Sequence, residues 1–246
     1  MSKSKRKPAK SAEKKPLIAR PRGFLRRWFW RAVLGFAGFL GFAVLFYAVI
    51  NPPTTPYMNS EARRLGGVDQ EWVAFEDIAP VMARSVVAAE DANFCLHWGL
   101  DVNAIQIALA DGGYRGGSTI SQQVVKNVYL WQERSWLRKA LEAGITPLVE
   151  LVWSKRRILE VYLNVAEFDE GVFGVEAAAS HYFGVTPAEL TPTQAARLAA
   201  ILPDPKDRSA SNPSDYVRRR ARQIIDGAAT IDVDGRADCF QSADQG

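Results

Sequence analysis

The sequence predicts a mainly α-helical domain, lying outside the cytoplasm and carried behind one N-terminal transmembrane helix, on three observations. Residues 32–50, AVLGFAGFLGFAVLFYAVI, run for nineteen positions without a charge. Downstream, apolar residues recur at helical spacing behind Ser and Thr residues in N-cap positions. No stretch alternates apolar and polar residues long enough to suggest a substantial strand, and no internal repeat is present.

A helix needs roughly 20 apolar residues to cross a bilayer, so residues 32–50 are assigned as the span. Trp28 and Trp30 before it, with Tyr47 and Tyr57 at its far end, stand where interfacial aromatics belong. A cleaved signal peptide is the competing reading. The run is longer than an h-region, and Asn51-Pro52-Pro53 lacks a small-x-small cleavage site, so an anchor is preferred.

The whole chain has 246 residues, 48% of them apolar, which allows one or two packed domains. Its pI of 9.1 would suit a nucleic-acid binder if the charge lay on the folded part. It does not. Up to Arg31 there are twelve Lys and Arg and one acid, Glu13, a net of +11; against a formal total of +4, residue 32 onward carries −7. A nucleic-acid partner is therefore not expected. The basic run stays cytoplasmic by the positive-inside rule, and the rest is placed across the membrane. The two cysteines, Cys95 and Cys239, then sit where a disulfide is permitted. Because residues 230–246 are polar and read as a frayed tail, two separate thiols are expected.

Pro52 to Pro56 reads as a stiff connector. Pro80–Ala89 reads as a mostly buried helix that delivers Glu90 and Asp91 at its C-terminal end, where the helix dipole disfavours negative charge. Two adjacent carboxylates there should have raised pKa values, which suits a proton acceptor; the alternative is a cap or a surface ion pair. Asp101–Ala110 has short-helix spacing, and the four glycines of Asp111–Gly117 make a loop beside the candidate site. Ser118–Asn127 opens a helix with Thr119 and Gln122 at capping-box spacing and Lys126 one turn beyond Gln122. Its free N-terminal N–H groups could receive an anion.

Ser135 caps the next helix, where Arg138 and Glu142 share a face with Lys139 beside them. An exposed pair of this kind contributes a few tenths of a kcal/mol, so three cations near one carboxylate suggest a task other than stability. Ser154–Asn164 is another capped helix with Ile158, Leu159, Tyr162 and Val165 toward a core; Glu160, four residues after Arg156, is read as its ion-pair partner. Gly171–Gly174 is a turn, Val175–Phe183 a helix, and Thr191-Pro192-Thr193-Gln194 starts a helix to Ile201. Ser214–Ala229, basic on one face, is the last helix expected.

Four motifs occur in order: Glu-Asp-x-x-Phe-x-x-His-x-Gly, Gly-Gly-Ser-Thr-Ile-x-Gln-Gln-x-x-Lys-Asn, Arg-Lys-x-x-Glu and Arg-Ile-Leu-Glu-x-Tyr-Leu-Asn. From about Trp72 to Pro203 the chain resembles the peptidoglycan glycosyltransferase family, shared by class A penicillin-binding proteins and stand-alone membrane-anchored transglycosylases. The resemblance implies a lysozyme-like helical fold over residues 69–229, with a cytoplasmic tail (1–31), the membrane helix (32–50), a linker (51–68) and a C-terminal tail (230–246). It implies polymerisation of lipid II into β-1,4 glycan strands, with Glu90 as the base for the acceptor hydroxyl and Glu142 as the second essential glutamate. Lys126, Arg134, Arg138 and Lys139 would hold pyrophosphate. Ser118, Thr119, Gln122, Gln123 and Asn127 would line the sugar and phosphate path, and Asp91, Phe94 and His97 would shape the Glu90 pocket. No cofactor is obligatory on this reading, although a divalent cation (Mg or Mn) has a place beside the pyrophosphate. Implied partners are lipid II, the growing lipid-linked strand, the inner membrane and other cell-wall synthesis proteins.

A lysozyme-like lytic enzyme is the nearest rival, but a neutral glycan gives the four cations nothing to bind. A non-catalytic membrane scaffold would leave Glu90 and Glu142 without a task. A bifunctional penicillin-binding protein does not fit the length: the Ser-x-x-Lys matches at Ser2 and Ser4 lie in the basic tail with no Lys-Thr-Gly partner.

Overall fold

The computed structural model describes residues 21–102, 106 and 117–241, and these are mostly helical. The short helix expected over Asp101–Ala110 and the glycine loop over Asp111–Gly117 fall almost wholly outside the described residues.

Two units make up the chain, residues 1–42 and 43–246. Helix α1 (Pro21–Tyr47) contains a stretch, Gly23–Tyr47, long and apolar enough to cross a membrane, and so fits a membrane anchor. It starts well before the expected boundary at residue 32. Pro21 is tolerated at the first helical position, and Phe24, Leu25, Trp28, Phe29 and Trp30 fill the gaps between arginines with helix-compatible residues.

The segment expected as a linker is largely helical too. Thr55 accepts the Met58 N–H, Pro56 occupies the first turn, and α2 (Pro56–Leu65) ends at Gly66 in the left-handed conformation. Met58 and Glu61 are buried, and the Tyr57 ring packs 5.3 Å from that of Phe173. Local capping and two inward residues thus recruit a stretch whose prolines read as a connector.

The other helices are α3 (Pro80–Glu90), α4 (Ile120–Tyr129), α5 (Trp136–Val152), α6 (Lys155–Val165), α7 (Gly174–Phe183), α8 (Pro192–Ile201) and α9 (Asp215–Val233). Each of α4, α5, α6, α8 and α9 starts behind a Ser or Thr whose side chain accepts a first-turn N–H, as their sequences predict. Helices α3, α8 and α9 pack on one another, and α4 packs on α5 and α6. Met82, Val86 and Val87 of α3, Leu198 of α8 and Ile224 of α9 are among the side chains withdrawn from water. Burial of each stabilises by about 1.5–3 kcal/mol. Three short strands, β1 (Asp69–Gln70), β2 (Glu167–Asp169) and β3 (Val172–Phe173), form a sheet in the order β1-β3-β2, with β1 parallel and β2 antiparallel to β3. Strands of two or three residues cannot show an alternating pattern, which is why none was expected.

Glu160 pairs with Arg157 at 2.7 Å, and Arg156 pairs instead with Glu76 while covering the Phe75 ring. Arg157 also donates to the carbonyls of Tyr47 and Ile50, so its position is set by the C-terminal turn of α1.

The C-terminal segment corrects two expectations. Helix α9 runs past Ala229 to Val233, and Cys95 and Cys239 form a disulfide rather than two thiols. Phe240 is 2% exposed and packs 6.3 Å from the Phe94 ring, while Arg236 donates to the Ala92 carbonyl. The polar composition of residues 230–246 hid these anchors, with Ile231 and Ala237 buried beside Phe240. The bridge links positions 144 residues apart, and closing so long a loop stabilises by about 2–5 kcal/mol. A Cys95→Ser, Cys239→Ser chain is expected to unfold at lower denaturant by that amount, and reductant should bring the unmodified chain down to the same midpoint.

Candidate active site

Glu90 is the last residue of α3, half-buried, and its Oε2 accepts a 2.7 Å hydrogen bond from Gln123 Nε2 on α4. Tyr162 of α6, almost wholly buried, donates to Gln123 Oε1 and so fixes which way that amide faces. Burial pushes the Glu90 pKa up, with neighbouring Asp91 adding to the rise; the Gln123 hydrogen bond and the charges of Arg220 and Lys126 oppose it. The result is a carboxylate more basic than usual, held in one orientation and facing a cavity of about 930 Å³. Ala89, Ser118, Gln123, Arg208 and Arg219 are among its other walls.

A second cavity, of about 630 Å³, shares Ser118 and Gln123 with the first. Its walls include Lys126, Arg134, Arg138, Lys139 and Glu142. Glu142 is 2% exposed, with Lys139 Nζ 3.2 Å from Oε1 and Arg138 Nη1 3.1 Å from Oε2. Lys139 also reaches Ser118 Oγ. Burial lowers the Lys126 pKa, and Arg138 and Lys139 lower it further, while Glu142 and Glu90 act against them. Glu142 therefore serves as counter-ion to a group of cations that would otherwise repel one another. Arg138 Nε is buried without a hydrogen-bond partner, so the guanidinium keeps a donor in reserve. Four cations around one carboxylate suit an anion bearing several oxygens. As a donor set for a divalent metal they are poor, since only Glu142 offers an anionic oxygen and it is already paired.

Most of the remaining residues expected at the site stand behind it. Asp91 is buried; Oδ1 pairs with His97 Nε2 at 2.8 Å and Oδ2 accepts the Ile120 N–H at 3.0 Å, so Asp91 ties the end of α3 to the start of α4. Phe94 is fully buried under the disulfide segment. Thr119 and Gln122 form the capping box of α4 and are almost wholly buried, with Thr119 also donating to the Gly99 carbonyl. Asn127 is buried and accepts from Gln132. Of the residues expected at the site, Glu90, Ser118, Gln123, Lys126, Arg134, Arg138, Lys139 and Glu142 line the two cavities, Asn127 lines a neighbouring cavity with Gln123 and Lys126, and Asp91, Phe94, His97, Thr119 and Gln122 hold the frame.

Arg219, Arg220 and Tyr162 belong to the site although their spacing marks them only as helix-face residues. Arg220 donates to the Ala89 carbonyl and its charge bears on Glu90, yet among Arg218, Arg219, Arg220 and Arg222 nothing local distinguishes it. Tyr162 was placed in the core by its spacing, and its hydroxyl is what gives it a second role.

A family model described as Transglycosylase matches residues 59–229, which include every residue of both cavities. The chain belongs to the transglycosylase family. A protein of Jannaschia sp. (strain CCS1) named "Biosynthetic peptidoglycan transglycosylase" is 59% identical over 240 residues, covering 98% of this chain and 99% of that one. A protein of the same name from Caulobacter vibrioides is 47% identical over 201 residues, covering 80% and 88%; one from Salmonella arizonae is 46% identical over 217 residues, covering 83% and 90%. The transglycosylase match starts ten residues before the boundary expected at 69 and so takes in most of α2.

Proposed function

We propose that this chain polymerises peptidoglycan glycan strands from lipid II, with Glu90 as the base. The observation that carries the reading is a half-buried carboxylate of raised pKa and a cationic cavity, joined through the shared walls Ser118 and Gln123. Glu90 takes the proton from the 4-hydroxyl of the acceptor GlcNAc. That oxygen attacks C1 of the donor MurNAc from the face opposite the leaving group, so the bond to the pyrophosphate oxygen breaks with inversion and a β-1,4 linkage forms. The electron pair departs with undecaprenyl pyrophosphate, whose charge Lys126, Arg134, Arg138 and Lys139 receive. Glu142 keeps Arg138 and Lys139 in register for that task. A divalent ion, where one takes part, would be held mainly by pyrophosphate oxygens, because the protein supplies few ligands for it.

Helix α1 would anchor the chain in the membrane that holds a polyprenyl substrate, with the basic N-terminus cytoplasmic and the catalytic domain periplasmic. The Cys95–Cys239 disulfide supports that side of the membrane, since such bonds persist in oxidising compartments. Lipid II and the growing strand are the direct partners, and other wall-synthesis proteins would share the surface. The test is incubation of the purified chain in detergent with labelled lipid II. Long polymer is the expected product; hydrolysed fragments from preformed glycan, with no polymer, would favour the lytic alternative.

The two shifted groups set the pH profile. Only the carboxylate form of Glu90 accepts a proton, so kcat/KM should rise with pH through a pKa above the ordinary carboxylate range. Only the charged form of Lys126 stabilises the leaving group, so activity should fall on the alkaline side below the ordinary lysine value. Lys126→Arg is expected to move the alkaline limb up and leave the acid limb in place.

A further inference from the structure

Lys155, the first residue of α6, stands outside both cavities, yet it meets the segment that follows Glu90 at two points and α5 at a third. Its Nζ donates to the His97 carbonyl at 2.7 Å and to Glu150 Oε1 at 2.9 Å, and it lies 4.4 Å from the centroid of the Phe94 ring. Glu150, on α5, has a side chain 4% exposed and also accepts from Ser121 Oγ of α4. Gly99 follows with φ +78°, and a Cβ there would stand 2.5 Å from Thr146 Cγ2 and 2.9 Å from Glu150 Cγ, so the segment is pressed onto α5 at this point. One ammonium thus joins the starts of α4 and α6, the last turn of α5 and the loop of residues 94–97.

That loop connects to the base by a short path. The His97 ring pairs with Asp91, the residue after Glu90, and the other Asp91 oxygen holds the Ile120 N–H of the helix that carries Gln123. Both supports of Glu90, the backbone at Asp91 and the amide of Gln123, therefore depend on where His97 lies. A buried ion pair with an additional hydrogen bond to a main-chain carbonyl is weak as a stability device and well suited to fixing geometry.

We infer that Lys155 is a positioning residue for Glu90, acting through the His97 carbonyl and the His97–Asp91 pair. It touches no substrate. Its loss lets the loop shift, and a displacement of about 1 Å at a base can lower turnover about 10²-fold. This inference rests on the reading of Glu90 as the base, and it carries a readout that does not depend on activity.

Lys155→Met alone leaves Glu150 buried and unpaired, which can unfold the chain. The decisive variants are therefore Glu150→Gln, which keeps the Lys155 bond to His97, and Lys155→Met with Glu150→Gln, which removes that bond without stranding a charge. With lipid II as substrate, the double variant is expected to lose kcat about 10- to 100-fold with KM within about threefold. Glu150→Gln should stay within about threefold of the unmodified chain, and Lys155→Arg should recover most of the turnover. Hydrogen exchange at the Phe94 and Leu96 amides, which close this loop on Asp91 and Asn93, should accelerate in the double variant and not in Glu150→Gln. Unchanged kcat together with unchanged exchange in a folded double variant would overturn the inference. An unmodified chain that does not polymerise lipid II would count against the proposed function instead, and the exchange comparison would still decide the role of Lys155.

Discussion

Glu90→Gln is expected to abolish polymerisation of lipid II, with kcat/KM falling roughly 10³-fold or more, in the upper part of the range that general-base catalysis supplies. The substitution keeps size and shape, and a glutamine oxygen can still accept from Gln123 Nε2, so the loss would belong to proton transfer and not to collapse of the pocket. Stability should move the other way. The folded state raises the Glu90 pKa, so between the ordinary carboxylate value and the raised one it binds a proton that the unfolded chain has lost. Stability from this group is accordingly present at low pH and lost as pH rises through the raised pKa. Glu90→Gln should remove that decline, and at neutral pH the variant is expected to melt at a higher temperature than the unmodified chain. An inactive and more stable protein is a combination that damage to the fold cannot produce.

Glu142→Gln is expected to be nearly as severe for a different reason. Glu142 holds Arg138 at 3.1 Å and Lys139 at 3.2 Å and helps to keep the buried Lys126 charged. With the carboxylate neutralised, Lys126, Arg138 and Lys139 face each other without compensation. The expected result is a loss of roughly 10²- to 10³-fold in kcat/KM, as when one element of preorganised charge stabilisation is removed. Here stability should fall, because Arg138, with a side chain only 11% exposed, is left without its carboxylate. The alkaline limb should also move to lower pH, since Lys126 loses an interaction that raises its pKa. The two glutamates are thus distinguishable by the sign of the stability change and by which limb of the profile moves.

Much of this could be read from the chain, because helix signals are local. The capping boxes at Thr119–Gln122 and Thr191–Gln194 mark the starts of α4 and α8, and uncharged length marks α1. Local signals also gave Glu90 at the end of a buried helix and Glu142 among cations. What escaped was long-range. Arg220 reaches Ala89 across 131 residues and Cys239 reaches Cys95 across 144, and no spacing rule reports such pairs. Asp91, Thr119 and Gln122 belong to motifs, but only the fold shows that Asp91 holds the His97 ring and the Ile120 N–H, and that Thr119 and Gln122 cap each other's backbone. The same holds for Lys155, whose sequence position as the residue after a Ser N-cap reveals nothing of the carbonyl it grips.

The central claim, that one groove holds a base on one wall and a pyrophosphate site on the other, is most directly tested by a structure of the full chain with non-reactive lipid II analogues in both halves. The account predicts the donor pyrophosphate against Lys126, Arg138 and Lys139, and the acceptor 4-hydroxyl within hydrogen-bond reach, about 2.6–3.2 Å, of a Glu90 oxygen. A pyrophosphate seated away from those cations, or an acceptor hydroxyl whose only neighbour is a side chain other than Glu90, would contradict it.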